Sequence, residues 1–215
     1  MKLSIVIPFY NEENMIQKMY DALVAEVNKI TKAEFEIIFI NDGSKDRTFE
    51  KMLAIAEGDS RVKYISFSRN FGKEAGTIAG LEYATGEAVI LMDGDLQHPP
   101  ALLPQMIEAY EEGYDVVSAR RTRTGEKPHR TFLAKHFYRL ANKMMDIELM
   151  DGVSEFRLFS RKAVRAILSL QEYNRFSKGI FAWIGFKEKV IEYENQVRTV
   201  GETKYSLKFS LNYAI

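Results

Sequence analysis

The sequence predicts an α/β fold in which a mainly parallel β-sheet carries helices on both faces. Over residues 1–120, short apolar runs alternate with segments whose apolar residues recur at helical spacing. The apolar runs are nearly continuous, as expected for parallel strands that are buried on both faces. Ligands bind such sheets beyond the carboxyl ends of the strands, so functional residues are expected there.

This pattern gives nine elements in order. Continuous apolar strands alternate with amphipathic helices, which is the arrangement of a parallel sheet with helical connections. The predicted strands are Leu3–Pro8, Phe35–Ile40, Val62–Phe67, Glu87–Met92 and Asp115–Ala119. The predicted helices are Asn14–Ile30, a helix from an N-cap at Asp46 to Ala56, Lys73–Ala84 and Pro99–Glu112.

The composition is that of a globular protein with a sizeable core, since 46% of the 215 residues are hydrophobic and 28% are charged. The absence of cysteine excludes disulfides and thiolate chemistry, so any metal must have oxygen or histidine ligands. No signal-peptide pattern opens the chain, and no apolar stretch reaches the roughly 18 residues of a membrane-spanning helix. We therefore expect this chain to be soluble and cytosolic.

Charge is distributed unevenly along the chain. Residues 1–118 contain 11 Lys and Arg against 20 Asp and Glu, a net charge of −9. Residues 119–215 contain 19 against 10, a net charge of +9. We interpret the basic part as a surface that meets an anion, such as a phosphate group or an acidic membrane. A random fluctuation over solvated faces is the alternative.

Two carboxylates follow the fourth predicted strand. Asp93 and Asp95 flank Gly94, which allows close approach of the backbone. Such a pair repels unless a cation lies between the carboxylates or one of them takes a proton. Mg²⁺ or Mn²⁺ fits, because these ions use one or two carboxylates together with substrate phosphates. Gln97 is interpreted as orienting a metal-bound water, with a role at the start of the next helix as the alternative.

Polar residues also follow the first two strands. Asp42 can accept a hydrogen bond from a base or a ribose, although a turn in which Ser44 or Asp46 caps the next helix explains the same residues. Pro8 ends the first strand and precedes Tyr10, which can stack on a ring, and Glu12, which can accept a hydrogen bond. Each of these clusters taken alone is also explained by a turn.

Beyond residue 120 the pattern changes. Residues 122–130 are predicted to form a polar loop, and residues 131–146 an amphipathic helix with aromatic and basic residues. That helix packs on the core or lies in a membrane interface, and the sequence leaves both open. Residues 205–215 are aromatic, apolar and weakly basic, as at the beginning of a segment that continues.

Six segments in order carry a resemblance to a known family: IVIPFYNEE, FINDGSKD, SRNFGKEAGTIAGLEYATGEAVILMDGDLQHPP, SEFRLFSRKAV, RFSKGIFAWIGF and VRTVGETKYSLKFSLNYAI. The chain resembles the inverting glycosyltransferases of family 2. Within that family it is similar to the polyprenyl-phosphate glycosyltransferases, relatives of dolichol-phosphate mannose synthase and the bactoprenol glucosyltransferases. The resemblance implies a GT-A type, Rossmann-like fold with C-terminal amphipathic juxtamembrane helices.

The resemblance also implies roles for individual residues. Those implied to bind the nucleotide-sugar are Pro8, Tyr10, Glu12, Asp42, Ser44, Lys73, Asp93 and Gly94. Those implied to hold the metal are Asp93, Asp95 and Gln97, and those implied to act in catalysis are Asp95, Glu155 and Arg157. Those implied to grip phosphate groups, including that of the acceptor, are Arg120, Arg130, Arg157, Arg198 and Lys204. From the residues alone, a buried ion pair is the alternative for Glu155 and Arg157, and a solvated side chain for Lys204.

The chain departs from the family pattern at three places. Where relatives have Gln-Asp-Pro-Pro-Glu, residues 97–101 read Gln-His-Pro-Pro-Ala, and we interpret His98 as a loop histidine, with contact to the metal region as the alternative. Where relatives have Gly-Asp-Phe-Arg, residues 154–157 read Ser-Glu-Phe-Arg, so the carboxylate of Glu155 stands one methylene further out. Third, the chain stops at Ile215, where relatives continue into two membrane-spanning helices. We expect a truncated piece of a protein of the cytoplasmic membrane face.

The expected division of the chain is a nucleotide-sugar-binding half at 1–120, an acceptor-binding half at 121–204, and the start of a juxtamembrane segment at 205–215. The expected reaction is inverting transfer from UDP-glucose or UDP-N-acetylglucosamine, with GDP-mannose less favoured, to a polyprenyl (undecaprenyl) phosphate. A phosphate acceptor needs no strong general base, because its second pKa is about 6. No nucleic-acid partner is expected, and the oligomeric state, including a homo-oligomer, is left open.

Four alternatives differ in class or acceptor. The first is a family 2 transferase acting on a polysaccharide hydroxyl, which would depend strongly on a catalytic carboxylate. The second is a phosphohydrolase, whose Asp pair normally follows the first strand rather than the fourth. The third is a nicotinamide-dependent oxidoreductase, but no Gly-X-Gly-X-X-Gly follows the first strand and no P-loop is present. The fourth is a non-catalytic nucleotide-sugar sensor.

Overall fold

The computed structural model describes residues 1–122, 152–170 and 177–194. The strands within these ranges are β1 (Lys2–Phe9), β2 (Glu34–Asn41), β3 (Val62–Ser66), β4 (Ala88–Leu91), β5 (Val116–Arg121), β6 (Val153–Ser160) and β7 (Glu188–Tyr193). The helices are α1 (Ile16–Val27), α2 (Thr48–Gly58), α3 (Lys73–Tyr83), α4 (Leu103–Glu111), α5 (Arg161–Ser169) and α6 (Ser177–Trp183), and a 3₁₀ turn at Pro100–Leu102 precedes α4.

The seven strands form one mainly parallel sheet in the order β3-β2-β1-β4-β6-β5-β7. Only the two pairings of β6, with β4 and with β5, are antiparallel among the described strands. The predicted α/β class with a mainly parallel sheet is therefore confirmed. All nine predicted elements appear within a few residues of their expected bounds, and β6 and β7 are additional.

Helices cover both faces of the sheet because alternate side chains of each buried strand point to opposite sides. Ile5 and Ile7 of β1 belong to a core formed with α1, α2 and α4. Val6, between them, belongs to a second core formed with α3, α5 and α6. The sheet is thus buried on both sides, which explains why its strands consist of nearly uninterrupted apolar residues.

A buried carboxylate ties the amino ends of the strands together. Glu36 of β2 accepts hydrogen bonds from Ser4 Oγ at 2.6 Å, Lys63 Nζ at 2.9 Å and Thr85 Oγ1 at 2.8 Å. Burial alone would raise the pKa of Glu36, but these hydrogen bonds and that from the Thr85 backbone hold it well below its usual range. This cluster lies at the end of the sheet opposite the strand ends expected to carry function.

Several expectations fall on residues outside the described ranges. They are the amphipathic helix at 131–146, nearly all of the loop at 122–130, and the juxtamembrane segment at 205–215. In the part of the chain that is described, no helix has both the length and the apolar character needed to cross a membrane. The functional division into residues 1–120 and 121–204 stays a prediction.

Candidate active site

Strand direction brings the candidate residues to one edge of the sheet. The carboxyl ends of β1, β2 and β4 meet there because these strands are parallel. The antiparallel strand β6 begins at the same edge, and its pairing register joins Leu91 to Arg157. Continuing this register by two residues sets Asp93, just beyond β4, opposite Glu155.

Lys73 bridges these two carboxylates. It is the first residue of α3, and its Nζ atom lies 2.5 Å from Oδ1 of Asp93 and 2.8 Å from Oε2 of Glu155. Burial would lower the pKa of Lys73, but the two carboxylates raise it well above its usual value. Burial would likewise raise the pKa of Asp93, but Lys73 and His98 hold it well below its usual range. The lysine is therefore charged and the aspartate ionised at neutral pH.

A histidine and a tyrosine hold the other side of Asp93. Nε2 of His98 lies 3.2 Å from Oδ2 of Asp93, and Nδ1 shares a 2.7 Å hydrogen bond with Oη of Tyr193 at the end of β7. Asp93, His98 and Tyr193 thus form one continuous series of contacts. His98 and Tyr193 are both buried. His98 does lie in the loop after β4, and these contacts support the alternative interpretation as well, since its ring contacts the first aspartate of the pair.

The turn after β4 is tightly constrained. Leu96 has a φ of +59°, a left-handed conformation that is unfavourable for a leucine and marks local strain. A Cβ atom on Gly94 would lie 2.3 Å from the ring of Phe9, which is itself buried. Asp95 accepts a hydrogen bond from the backbone N–H of Gln97 at 3.1 Å. The backbone here thus restrains the carboxylate of Asp95, whereas that of Asp93 is held by the side chains of Lys73 and His98.

Asp42 organises the loop between β3 and α3. Its carboxylate accepts hydrogen bonds from Asn70 Nδ2 at 2.9 Å, Phe71 N at 2.7 Å and Gly72 N at 3.0 Å. Burial raises the pKa of Asp42, and the backbone hydrogen bonds offset part of that effect. Asp42 therefore fixes the segment that leads directly into Lys73, and its predicted contact with the nucleoside stays a prediction.

Gly43 allows the loops after β2 and β3 to touch. Its φ is +64°, and a Cβ atom there would lie 2.2 Å from the backbone carbonyl carbon of Arg69. Backbone cannot yield to such a contact as a flexible side chain can, so only glycine fits. The glycine of the NDGS sequence is thus required by the approach of the two loops, whatever ligand binds there.

Hydrogen bonds join the loops after β1 and β2. Ser44 Oγ accepts from Asn11 N at 3.0 Å, and Thr48 Oγ1 accepts from Glu12 N at 2.8 Å. Pro8 and Tyr10, both half-buried, lie on either side of the last residue of β1. The structure therefore brings the predicted nucleoside-binding residues of the two loops together, while their contacts with a nucleotide stay predictions.

The predicted phosphate-binding residues have separate environments. Arg157 is buried, with Nη1 3.7 Å from Glu188 and its guanidinium 5.2 Å from the ring centroid of Phe181. Burial lowers the pKa of Arg157, opposed by Glu188 and Glu155. Arg120 is exposed and lies 3.6 Å from Glu192. Outside the described residues are Arg130, Arg198 and Lys204.

The donor set fits a divalent cation in its chemistry. Asp93, Asp95 and Gln97 carry carboxylate and amide oxygens, which Mg²⁺ and Mn²⁺ prefer. Across the described ranges, no three acidic or histidine side chains form a ready-made metal cluster. Mg²⁺ in proteins usually completes its coordination with water and substrate phosphates, so one or two carboxylates are a sufficient set of protein donors for it.

Sequence reasoning missed three participants. Asn70 and Tyr193 were not singled out, and Glu188 was not connected with Arg157. The spacing of Asn70 just before Lys73 was the available signal for the first. Nothing local signals the other two, because β7 is brought to the site by pairing with β5.

The chain belongs to glycosyl transferase family 2, whose profile matches residues 4–168. CsbB of Bacillus subtilis (strain 168), provisionally named as a glycosyltransferase, is 50% identical over 213 residues, which cover 99% of this chain and 64% of CsbB. The bactoprenol glucosyl transferase of Shigella phage SfX is 42% identical over 207 residues, which cover 96% of this chain and 67% of that protein. The chain thus spans about two thirds of these relatives' length.

Solved structures share the fold. Mannosyltransferase PcManGT from Pyrobaculum calidifontis, in complex with GDP-Man and Mn²⁺, has a TM-score of 0.64 at 18% identity, over 88% of this chain and 54% of that one. Glucosyl-3-phosphoglycerate synthase from Mycobacterium tuberculosis, with Mn²⁺ and UDP-Glc, has a TM-score of 0.60 at 19% identity, over 99% of this chain and 75% of that one. The predicted GT-A type fold is confirmed by this likeness.

Proposed function

We propose that this chain transfers glucose from UDP-glucose to a polyprenyl phosphate, with inversion at the sugar carbon and with Mg²⁺ or Mn²⁺ as cofactor. One observation carries the proposal: the carboxylates of Asp93 and Glu155 face each other across Lys73 at the carboxyl edge of a family 2 sheet. The bactoprenol glucosyl transferases among the relatives favour glucose and a polyprenyl acceptor. UDP-N-acetylglucosamine and GDP-mannose remain donors to be tested.

The residues that would hold the metal are Asp93, Asp95 and Gln97. A divalent ion bound there would neutralise the donor diphosphate and stabilise the departing nucleotide. The loops after β1 and β2, with Tyr10, Glu12 and Asp42, would bind the nucleoside. These loops are joined by hydrogen bonds, which supports the proposal because a nucleoside bound there would meet loops already held together.

A phosphate acceptor suits the charges around this edge. A phosphate monoester is already a nucleophile at neutral pH, so no strong base is needed to activate it. Its approach to an anionic donor must instead be favoured by positive groups. Arg120 is exposed at the end of β5, and residues 119–215 carry a net charge of +9. We assign these cations to the acceptor phosphate and to an acidic membrane surface, and Glu155 to positioning.

A product assay tests the proposal. The protein is mixed with Mn²⁺, undecaprenyl phosphate and radiolabelled UDP-glucose, UDP-N-acetylglucosamine or GDP-mannose, and the lipid phase is analysed for a labelled glycolipid. We expect label from UDP-glucose, its loss on chelation with EDTA, and its loss in Asp95→Asn. A labelled product with a soluble oligosaccharide, but none with undecaprenyl phosphate, would favour the polysaccharide alternative. Binding of UDP-glucose without turnover on any acceptor would favour a sensor.

A further inference from the structure

Lys73 places a fixed positive charge against one of the predicted metal ligands. Its Nζ atom contacts Asp93 at 2.5 Å and Glu155 at 2.8 Å, so one ammonium group serves both carboxylates. Two carboxylates on neighbouring strand ends repel unless a positive charge lies between them. The lysine therefore does for this pair what a bound cation would do.

We propose that Lys73 is a tethered counter-cation that competes with the divalent metal for Asp93 until the nucleotide diphosphate arrives. The inference rests on the proposed function, because it takes Asp93 and Asp95 as the carboxylates that hold the metal. Lysine is suited to this role, since its compact ammonium group stands on a flexible four-carbon stem. The group can leave Asp93 while it stays beside Glu155.

Asp93 has little freedom to avoid this competition. Its Oδ2 atom is held by His98, whose other ring nitrogen is held by Tyr193. Rotation of the carboxylate away from Lys73 would break the contact with His98. A metal that approaches Asp93 therefore meets the ammonium group at short range, where two positive charges repel strongly.

A bound nucleotide changes this balance. Its diphosphate brings negative charge to the same edge of the sheet, so the metal and the ammonium group no longer depend on the same carboxylates. Lys73 then ceases to oppose the metal and contributes a cation to the diphosphate. The expected signature is a positive coupling between metal and nucleotide binding that depends on Lys73.

Mn²⁺ binding to the full chain tests this inference directly. Affinity is measured by isothermal titration calorimetry for wild type and Lys73→Met, with and without UDP. Without UDP we expect Lys73→Met to bind Mn²⁺ at least about tenfold more tightly, which corresponds to about 1.4 kcal/mol. With UDP present the advantage of the variant should shrink, because the coupling between the two ligands is reduced.

A matched control separates local from general charge effects. Lys29→Met removes an exposed lysine that pairs with Glu26 on α1, far along the chain from the site. We expect its Mn²⁺ affinity to stay within about twofold of wild type, because a distant exposed charge is screened by salt. If Lys73→Met does not fold by circular dichroism, Lys73→Gln, which keeps two N–H donors without the charge, carries the same expectation.

Two outcomes are decisive and distinct. Mn²⁺ binding by wild type, with equal or weaker binding by the Lys73 variant, would overturn the inference and leave the proposed function standing. Failure of wild type to bind Mn²⁺ even with UDP would overturn both, because the metal site itself would then be wrong.

Discussion

Glu155 lies opposite Asp93 because β6 runs antiparallel to β4, with Arg157 paired to Leu91. Two residues beyond that pair, the strand ends hold two carboxylates face to face, and Lys73 contacts both. The separation in sequence between the carboxylates is large, yet the pairing of β4 with β6 brings their strand ends together and Lys73 links them. Because Glu155 contacts Lys73 in this arrangement, we expect it to position that lysine rather than to act as a general base.

We expect Glu155→Gln to retain substantial activity. If the acceptor is a phosphate, it needs no base, and the amide can still contact Lys73. The turnover number should fall by less than about 100-fold, which is the lower limit of the usual contribution of a general base. Steady-state rates with UDP-glucose, Mn²⁺ and undecaprenyl phosphate measure this.

The matched variant for Glu155→Gln is Asp95→Asn. At the Mn²⁺ concentration used for wild type, we expect Asp95→Asn to have no activity. A loss of 1,000-fold or more in Glu155→Gln, with donor binding unchanged, would instead make Glu155 an essential base. Such a loss would also favour a polysaccharide hydroxyl over a polyprenyl phosphate as the acceptor.

Gly43→Ala should destabilise the protein and weaken nucleotide binding. The left-handed backbone costs about 1–2 kcal/mol for alanine, and the Cβ atom would lie 2.2 Å from the backbone of Arg69. We therefore expect a loss of at least about 2 kcal/mol in the free energy of unfolding, measured by urea denaturation. UDP binding should weaken because the loop bearing Asp42 must move.

Gly58→Ala provides the comparison for Gly43. Gly58 ends α2, and a Cβ atom there would meet no other atom within 4 Å. The expected change is a stabilisation of up to about 1 kcal/mol, because alanine restricts the unfolded chain. Equal stability of the two alanine variants would show that the loops adjust around residue 43.

Tyr193→Phe should affect the metal site through His98. Removal of the hydroxyl leaves Nδ1 of His98 without its 2.7 Å partner and loosens the ring that holds Asp93. We expect a loss of about 1–3 kcal/mol in stability and weaker Mn²⁺ binding in the presence of UDP. Urea denaturation and calorimetry give the two quantities.

Tyr20→Phe tests whether the effect of Tyr193→Phe is specific. Tyr20 donates a 2.9 Å hydrogen bond to Asp59, and neither residue belongs to the candidate site. Its loss should lower stability without changing Mn²⁺ binding. If Tyr193→Phe behaves in the same way, the tyrosine supports the fold only.

Glu36→Gln should reduce stability at neutral pH and flatten its dependence on pH. The folded-state pKa of Glu36 lies below its unfolded value, so its stabilisation is present above about pH 5 and is lost as the pH falls through the folded pKa. The variant replaces a buried, hydrogen-bonded charge, and we expect a loss of about 2–4 kcal/mol at pH 7.

The measurement for Glu36 is a series of urea denaturations between pH 7 and pH 2. The difference between wild type and variant should narrow steadily as the pH falls below 5. A constant difference across the series would mean that the ionisation of Glu36 contributes nothing and that only its shape matters.

The sequence predicts β1 to β5 and α1 to α4 because their signals are local. Each is a short apolar run or a helical repeat that can be recognised within a dozen residues. The strand β6 contains Glu155 and Arg157, so its pattern is less apolar. Its burial depends on β4 and β5, which precede it by many residues. Nothing within β6 itself predicts that it runs antiparallel between them.

The candidate site was likewise predictable where its signals are local and not where it depends on distant strand pairing. Strand ends place Asp42, Asp93 and Asp95 correctly at one edge, because parallel strands share their direction. The contact of His98 with Tyr193 joins residues 95 positions apart and depends on how β7 pairs with β5. Such contacts form only when the sheet is assembled. The sequence motifs therefore predict where the site lies but not all of the residues that contact one another in it.

The insertion of β6 between β4 and β5 has a practical consequence for dissecting the protein. A fragment ending at residue 122 would keep both aspartates of the turn after β4, but β5 would lose β6 and β7, its two hydrogen-bonded neighbours. β4 would also become an exposed edge strand whose unpaired backbone groups can form hydrogen bonds with strands of other molecules. The boundary between the acidic and basic parts of the chain is therefore not a suitable point for truncation. We expect a fragment of residues 1–122 to aggregate when it is expressed alone.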